Sequence, residues 1–187
     1  MTDIIRPGSR FVFMKVGTHA NESFQDILRR KRQEIDAAGF ALWGYGGNTC
    51  HPLTMVQPFA HDVARQGGTI HLVMQPMESH HFAVTERADE MSHDGLNWEP
   101  IPEGINVIGS RYALAIKDLH EDKFGLPLAH TRVAIGNSVG RRGDLYVQGR
   151  VDKACLEVVD EPVAEEPAPI AIEFVADLVE PYAVFVR

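Results

Sequence analysis

A cysteine, a histidine and two hydrogen-bonding side chains stand together at Asn48-Thr-Cys-His51, after the run Trp43-Gly-Tyr-Gly-Gly47 and before Pro52. These residue types cover proton transfer by imidazole, attack by a thiolate, and polar recognition by an amide and a hydroxyl. Glycines let backbone approach closely or take positive φ. Beside them, Trp43 and Tyr45 read as an aromatic wall on which a ligand ring would stack, a contact worth about 1–3 kcal/mol for a nucleobase. Neighbouring side chains point apart in extended chain, so Cys50 and His51 make no dyad by themselves. Cys50 acts as a nucleophile only with a second histidine folded over it. The plainer alternative is a strand-to-helix turn with buried aromatics and an inert thiol.

A second stretch of chemical interest is Gly136-Asn-Ser-Val-Gly-Arg-Arg-Gly143. Its first five residues match the G-x-S-x-G nucleophile elbow, which requires a following helix and a later histidine. The residues after Arg142 read as a strand, and the last histidine is His130, so a serine nucleophile is disfavoured. An anion nest fits better. Exposed N–H groups of a glycine-rich turn bind anions, and arginine grips phosphate or carboxylate in a bidentate way. Ser138, Arg141, Arg142, Arg150 and Lys153 are the candidate ligand-binding groups here, with an exposed hairpin tip as the alternative. No Gly-Lys-Ser/Thr follows, so the stretch is not a Walker loop.

The chain has nine histidines. His80, His81, His93 and Asp94 fall in one long polar stretch, and His51 and His61 flank a helix, but no zincin or zinc-finger spacing occurs. The site assignment therefore includes no metal ligand and names no cofactor. His71, inside an apolar run, reads as a core histidine with a hydrogen-bonded partner.

The elements that must position these residues follow from periodicity. Arg10 to Val16 reads as a strand. Asn21 is an N-cap candidate; Phe24, Ile27, Leu28, Ile35 and Ala38 share one helical face, and Gly39 is the C-terminal stop. The basic run Arg29-Arg-Lys-Arg32 reads as a solvated face. Phe40 to Trp43 reads as a central strand, Thr54 to Arg65 as a helix kinked or begun at Pro58, and Thr69 to Met74 as a strand. Such β-α-β-α-β alternation favours partly parallel pairing. Residues 77–104 are polar and weakly periodic. Strand character resumes at Ile105–Ile108, Arg111–Lys117, Thr131–Ile135, Asp144–Gln148 and Ala154–Val159. The expected fold is α+β, a single mixed sheet with two helices in the N-terminal half and a strand-rich C-terminal half.

Net charge is −8, distributed as −1 over residues 1–150 and −7 over residues 151–187. The expected organisation is a ligand-binding domain over 1–159, an acidic, proline-rich linker over 160–169, and strands in 170–187 that dock on the sheet or on a neighbouring subunit. An acidic chain is a poor general binder of nucleic acid, whose affinity rests on neutralising phosphates. No run approaches the roughly 18 apolar residues of a membrane span. The first residues lack the basic-then-apolar order of a secretion signal. Cys50 and Cys155 are therefore expected to be reduced in a cytoplasmic protein.

Together these features point to a small anionic, nucleotide-like ligand held between the aromatic loop and the arginine hairpin. If the ligand is turned over, the expected reaction is hydrolysis of a phosphoester or glycosidic bond, with His51 as acid or base and Cys50 as the other reactive group. Two alternatives belong to other classes. One is a non-catalytic interaction module that uses the acidic tail and terminal strands, including for self-association. The other is a metal-dependent hydrolase built on the loop histidines.

Overall fold

The structure is a computed structural model that describes residues 3–45, 53–80, 85–148, 151 and 153–187. Strand β1 (Arg10–Thr18) runs inside the sheet and is covered on both faces. Val12, Met14 and Val16 enter one core, and Phe11 and Phe13 the core on the other side. This is the period-2 alternation of a strand buried on both sides. Helix α1 (Phe24–Ala38) follows. Its N-cap is Ser23, whose hydroxyl accepts from the Asp26 N–H, and not Asn21, which sits at φ 63° ahead of it. Gly39 ends the helix in the left-handed region as expected, its N–H donating to the Ile35 carbonyl.

Strand β2 (Ala41–Tyr45), helix α2 (Leu53–Arg65) and strand β3 (His71–His80) complete the N-terminal half. Pro58 lies within α2 and neither starts nor ends it. Next come the short strands β4 (Glu90–Ser92) and β5 (Glu99–Pro100), then β6 (Tyr112–Leu126) and β7 (Thr131–Val133). A four-residue helix α3 (Gly143–Tyr146), β8 (Lys153–Val158) and β9 (Ile170–Val186) finish the chain.

All the strands join one mixed sheet, the α+β architecture the sequence implies. The main path runs β2-β6-β9-β3-β1-β8-β7, with the β4–β5 ribbon attached to β9. β1 and β3 are parallel; the other neighbouring pairs are antiparallel. β2 is thus not central. It closes one end of the path and pairs with β6 alone. It is apolar on both faces because both are covered. Ala41, Trp43 and Tyr45 face the helices, and Leu42 faces a core formed with Ile105, Val107, Ala113 and Val184.

Three further expectations change. Ile105–Ile108 forms no strand; Ile105 and Val107 are buried from irregular chain that crosses β2. Gly44 permits that crossing, since a Cβ there would overlap the Ser110 hydroxyl. Asp144–Gln148 is not a strand, because Gly143–Tyr146 turns as α3. The strands expected in 170–187 are one strand, β9, which pairs with β6 along nearly its whole length and with β3 over Phe174–Asp177. Residues 170–186 therefore belong to the interior of this sheet.

The sheet is strongly coiled. Four strands separate β2 from β8 in the path, so a flat sheet would hold them about 24 Å apart at 4.8 Å per step. Yet the Lys153 ammonium on β8 lies 2.6 Å from the centroid of the Tyr45 ring on β2. The twist brings the sheet's two halves together around the core that α1 and α2 cover.

Candidate functional site

The coiling brings together the last residue of β2 and the first residue of β8, and α2 also packs against β8. Tyr45 ends β2 and Lys153 begins β8. The Met55 side chain of α2 packs where a Cβ on Gly136 would stand, 2.9 Å from its Cε, and Gly136 has φ 89°. The two stretches picked out in the sequence, 43–51 and 136–153, therefore meet through their described parts. Asn48, Thr49, Cys50 and His51, together with Arg150, lie outside the described residues. So does His81 of the histidine-rich stretch.

The aromatic residues are structural in their packing. Trp43 and Tyr45 are 5% and 4% exposed. Trp43 stands edge-on to Phe24, which in turn packs edge-on against Phe174. Tyr45 tilts against Tyr112 at 5.4 Å, and Tyr112 meets Phe185 at 5.6 Å. A stacking surface open to a ligand ring is thus not what these two side chains present. Tyr112, absent from the sequence-based site, belongs to the cluster. Its pairing with Tyr45 across β2 and β6 is a register contact that no local motif announces.

Lys153 is fully buried. Cross-strand pairing sets it opposite Met14, and Cys155, two residues on, shares its face opposite Val12. Its ammonium over the Tyr45 ring is a cation–π contact, an attraction that reaches about 2 kcal/mol or more when desolvated. Burial pushes the Cys155 thiol up to about 12, with Lys153 pulling weakly the other way. That thiol is protonated at neutral pH, and it is the thiolate that reacts.

The hairpin departs from the anion nest. The N–H groups of Val139, Gly140 and Arg141 donate to the carbonyls of Gly136, Val133 and Ser138. Arg142 grips Asp144 in a bidentate pair at 2.9 and 2.7 Å. Those hydrogen bonds hold the Asp144 carboxyl below its ordinary value. Arg141 is exposed and donates to the Leu145 carbonyl at 3.3 Å. Ser138 is half-buried in the turn, and no histidine bonds to it among the described residues.

The basic run of α1 is not simply a solvated face. Lys31 and Glu34 are each 2% exposed and pair at 3.0 Å. Arg30 reaches both Glu34 and Glu22. The Asn106 carbonyl accepts from Arg30 and Lys31, and the Asn106 N–H donates to Glu34. Burial pushes Lys31 down to about 8 against the pull of Glu34. The cluster fastens the chain around residue 106 to α1. His71 has a hydrogen-bonded partner, Asp177 at 2.8 Å, but it is partly exposed and not in the core.

Among the described residues, no three of histidine, cysteine, aspartate and glutamate gather as a metal site would require. His93 meets Glu99 at 3.5 Å with both half-exposed, and Asp94 instead caps the Leu96 and Asn97 N–H groups. No helix among the described residues is long and apolar enough to cross a membrane. No family model, curated protein or solved structure matches the chain.

Proposed function

We propose that the chain binds a small anionic ligand, phosphorylated or carboxylated, where β2 ends and β8 begins. The observation that carries this reading is Lys153, a wholly buried lysine on an aromatic face at that junction. In low-dielectric surroundings an ammonium attracts an anion more strongly than it does in water. A 13-residue helix, α2, packs against β8; the N-terminal end of a helix carries partial positive charge and favours anions. The stretch joining Tyr45 to α2 carries Asn48 and Thr49 as polar recognition groups. It also carries His51 and Cys50 as the groups for hydrolysis of a phosphoester or glycosidic bond.

The nucleotide-like form of this ligand is recognised through its phosphate and not its base, because Trp43 and Tyr45 are engaged within the core. The test is thermal melting against inorganic phosphate, simple carboxylates, sugar phosphates and nucleotides. A ligand at 100 times its Kd adds about 2.7 kcal/mol of stability, which is readily seen as a Tm shift. Lys153→Met should markedly reduce that shift while the protein still melts cooperatively. A panel of phosphates and carboxylates that moves Tm in neither protein would sink the reading.

A further inference from the structure

The hairpin that follows β7 holds no anion nest, yet its shape is tightly fixed. The Val133 N–H donates to the Arg141 carbonyl and the Gly140 N–H to the Val133 carbonyl. Arg132 bridges Arg142 across the arm, and a Cβ on Gly143 would overlap the Thr131 hydroxyl. On this frame stand two of the four large apolar side chains exposed among the described residues, Val139 at 61% and Leu145 at 43%. Arg141 lies between them in sequence. It is exposed, donates to the Leu145 carbonyl and meets no carboxylate among the described residues. Its neighbour Arg142 is neutralised by Asp144. Single apolar side chains on a surface need no explanation. A rigid turn that displays an apolar, a cationic and an apolar group together has the make-up of a docking face, where arginine is enriched.

The complementary pattern lies on the same chain. Segment 160–169, Asp160-Glu-Pro-Val-Ala-Glu-Glu-Pro-Ala-Pro169, is exposed over nearly its whole length, and its prolines keep it extended. It too is fastened to β7, through Arg132 and Glu161, and His130 engages Glu166. Asp160 and Glu165 are exposed and meet no cation among the described residues, with apolar Pro162, Val163 and Ala164 between them. β7 is the last strand of the sheet path, so hairpin and segment border one end of the sheet. We infer that this end is a self-association face, on which each hairpin docks the segment 160–169 of a second copy. Arg141 meets the partner's Glu165, and Val139 and Leu145 pack on the apolar stretch around the partner's Val163. The occupant is a second copy because the charge and apolar order this face requires stand on the face itself. A two-fold contact uses one patch on both copies, so each of these contacts forms twice. The extended segment loses little freedom on docking, since proline has already restricted it.

Sedimentation velocity of the full-length protein, from micromolar to near-millimolar concentration, tests this. The parent should show a reversible dimer. Arg141→Glu should weaken it by more than about tenfold, because like charges then face each other. Glu165→Arg should do the same for the same reason, and Val139→Asp should weaken it through the apolar contact. Mixed in equal amounts, Arg141→Glu and Glu165→Arg should associate as the parent does, since each copy then presents the charge the other lacks. Every variant should melt at the parent's temperature where the parent is monomeric, because the changed side chains are exposed or half-exposed. A monomer at every concentration would overturn the inference and leave the hairpin to an acidic segment of another protein. So would a dimer that Arg141→Glu leaves intact, or two charge variants that fail to recover on mixing.

Discussion

Two lysines lie inside this molecule, and their surroundings differ in kind. Lys31 meets a carboxylate at 3.0 Å and a backbone carbonyl at 2.8 Å, both supplied by elements it ties together. Lys153 meets the face of a tyrosine. The first environment offsets the charge with groups the fold needs anyway, so Lys31 reads as a cross-link between α1 and the chain around residue 106. The second stabilises the ammonium through a ring quadrupole, at the end of the sheet where the polar stretch 46–52 joins two elements. A buried cation that fastens two pieces of structure is explained by the fold. Lys153 stands at the end of the sheet where β8 begins beside Tyr45, and that position invites a functional account.

The largest effect that would sharpen the contrast is at Glu34. Glu34→Ala leaves a buried ammonium without its carboxylate, and breaking one side of such a pair costs about 3–5 kcal/mol. Replacing both partners, as Lys31→Met with Glu34→Leu, should restore most of that loss or exceed the parent, since apolar isosteres often match a buried ion pair. Urea unfolding measures both. If Glu34→Ala costs less than 1 kcal/mol, the cross-link is weak and the two lysines are alike after all.

Next comes the pH dependence of Lys31. Its folded value is lowered to about 8 from the ordinary 10.5, so between those pH values the unfolded chain holds more protons than the folded one. Stability contributed by this group therefore rises with pH across that window and is lowest below it. At 1.36 kcal/mol per unit, the parent should gain on the order of 3 kcal/mol relative to Lys31→Met from pH 7.5 to 10. Cys155 has the opposite sign. Its raised value makes the fold lose stability above pH 9, where the unfolded thiol ionises first. That term is common to both proteins and cancels in their difference. A flat difference would mean Lys31 is better solvated than its burial implies.

The same contrast shows what was legible in the sequence. The spacing of Phe24, Ile27, Leu28, Ile35 and Ala38 locates α1 and its core face, and Gly39 locates its end, because cap and period are local signals. The inward positions of Lys31 and Glu34 fall on that same face, but their burial depends on chain around residue 106, some 70 positions away. Edge and centre were also out of reach. β2 is apolar on both sides as a central strand would be, yet it ends the path; it is segment 105–110, distant in sequence, that covers its second face. At the candidate site, the sequence singled out Lys153 and Tyr45 separately, as parts of different stretches. Only the coiling of the sheet, a long-range property, puts one on the other.

Lys153→Met is the next test in size. Methionine fills a similar volume beside Met14 and Cys155, so stability should change by less than about 1.5 kcal/mol, as volume-conserving swaps do. Affinity for an anionic ligand should fall by about 1.5–3 kcal/mol, the range of a hydrogen bond to a charged group. Loss of several kcal/mol of stability with no change in affinity would place Lys153 in the same class as Lys31.

The smallest effects separate Lys153 from the arginines that looked like its partners. Arg142 is tied to Asp144, so Arg142→Gln should act on the turn and lower Tm slightly, without altering how anion binding responds to salt. The sign with pH follows from Asp144. Its lowered carboxyl value means the pair's contribution is present above the ordinary 3.8 and is lost as pH falls through the folded value. The Tm gap between the parent and Arg142→Gln should therefore close in strong acid. Arg141 is exposed, and Arg141→Gln should leave stability within about 0.5 kcal/mol. If Arg141 nonetheless helps the anion arrive, its effect must appear at low ionic strength and fade as the screening length shrinks to about 8 Å near physiological salt. A buried ammonium such as Lys153 is screened much less, so its contribution should persist in salt. An anion affinity that depends on Arg141 and not on Lys153 at every salt concentration would move the site from the coiled end of the sheet to the hairpin.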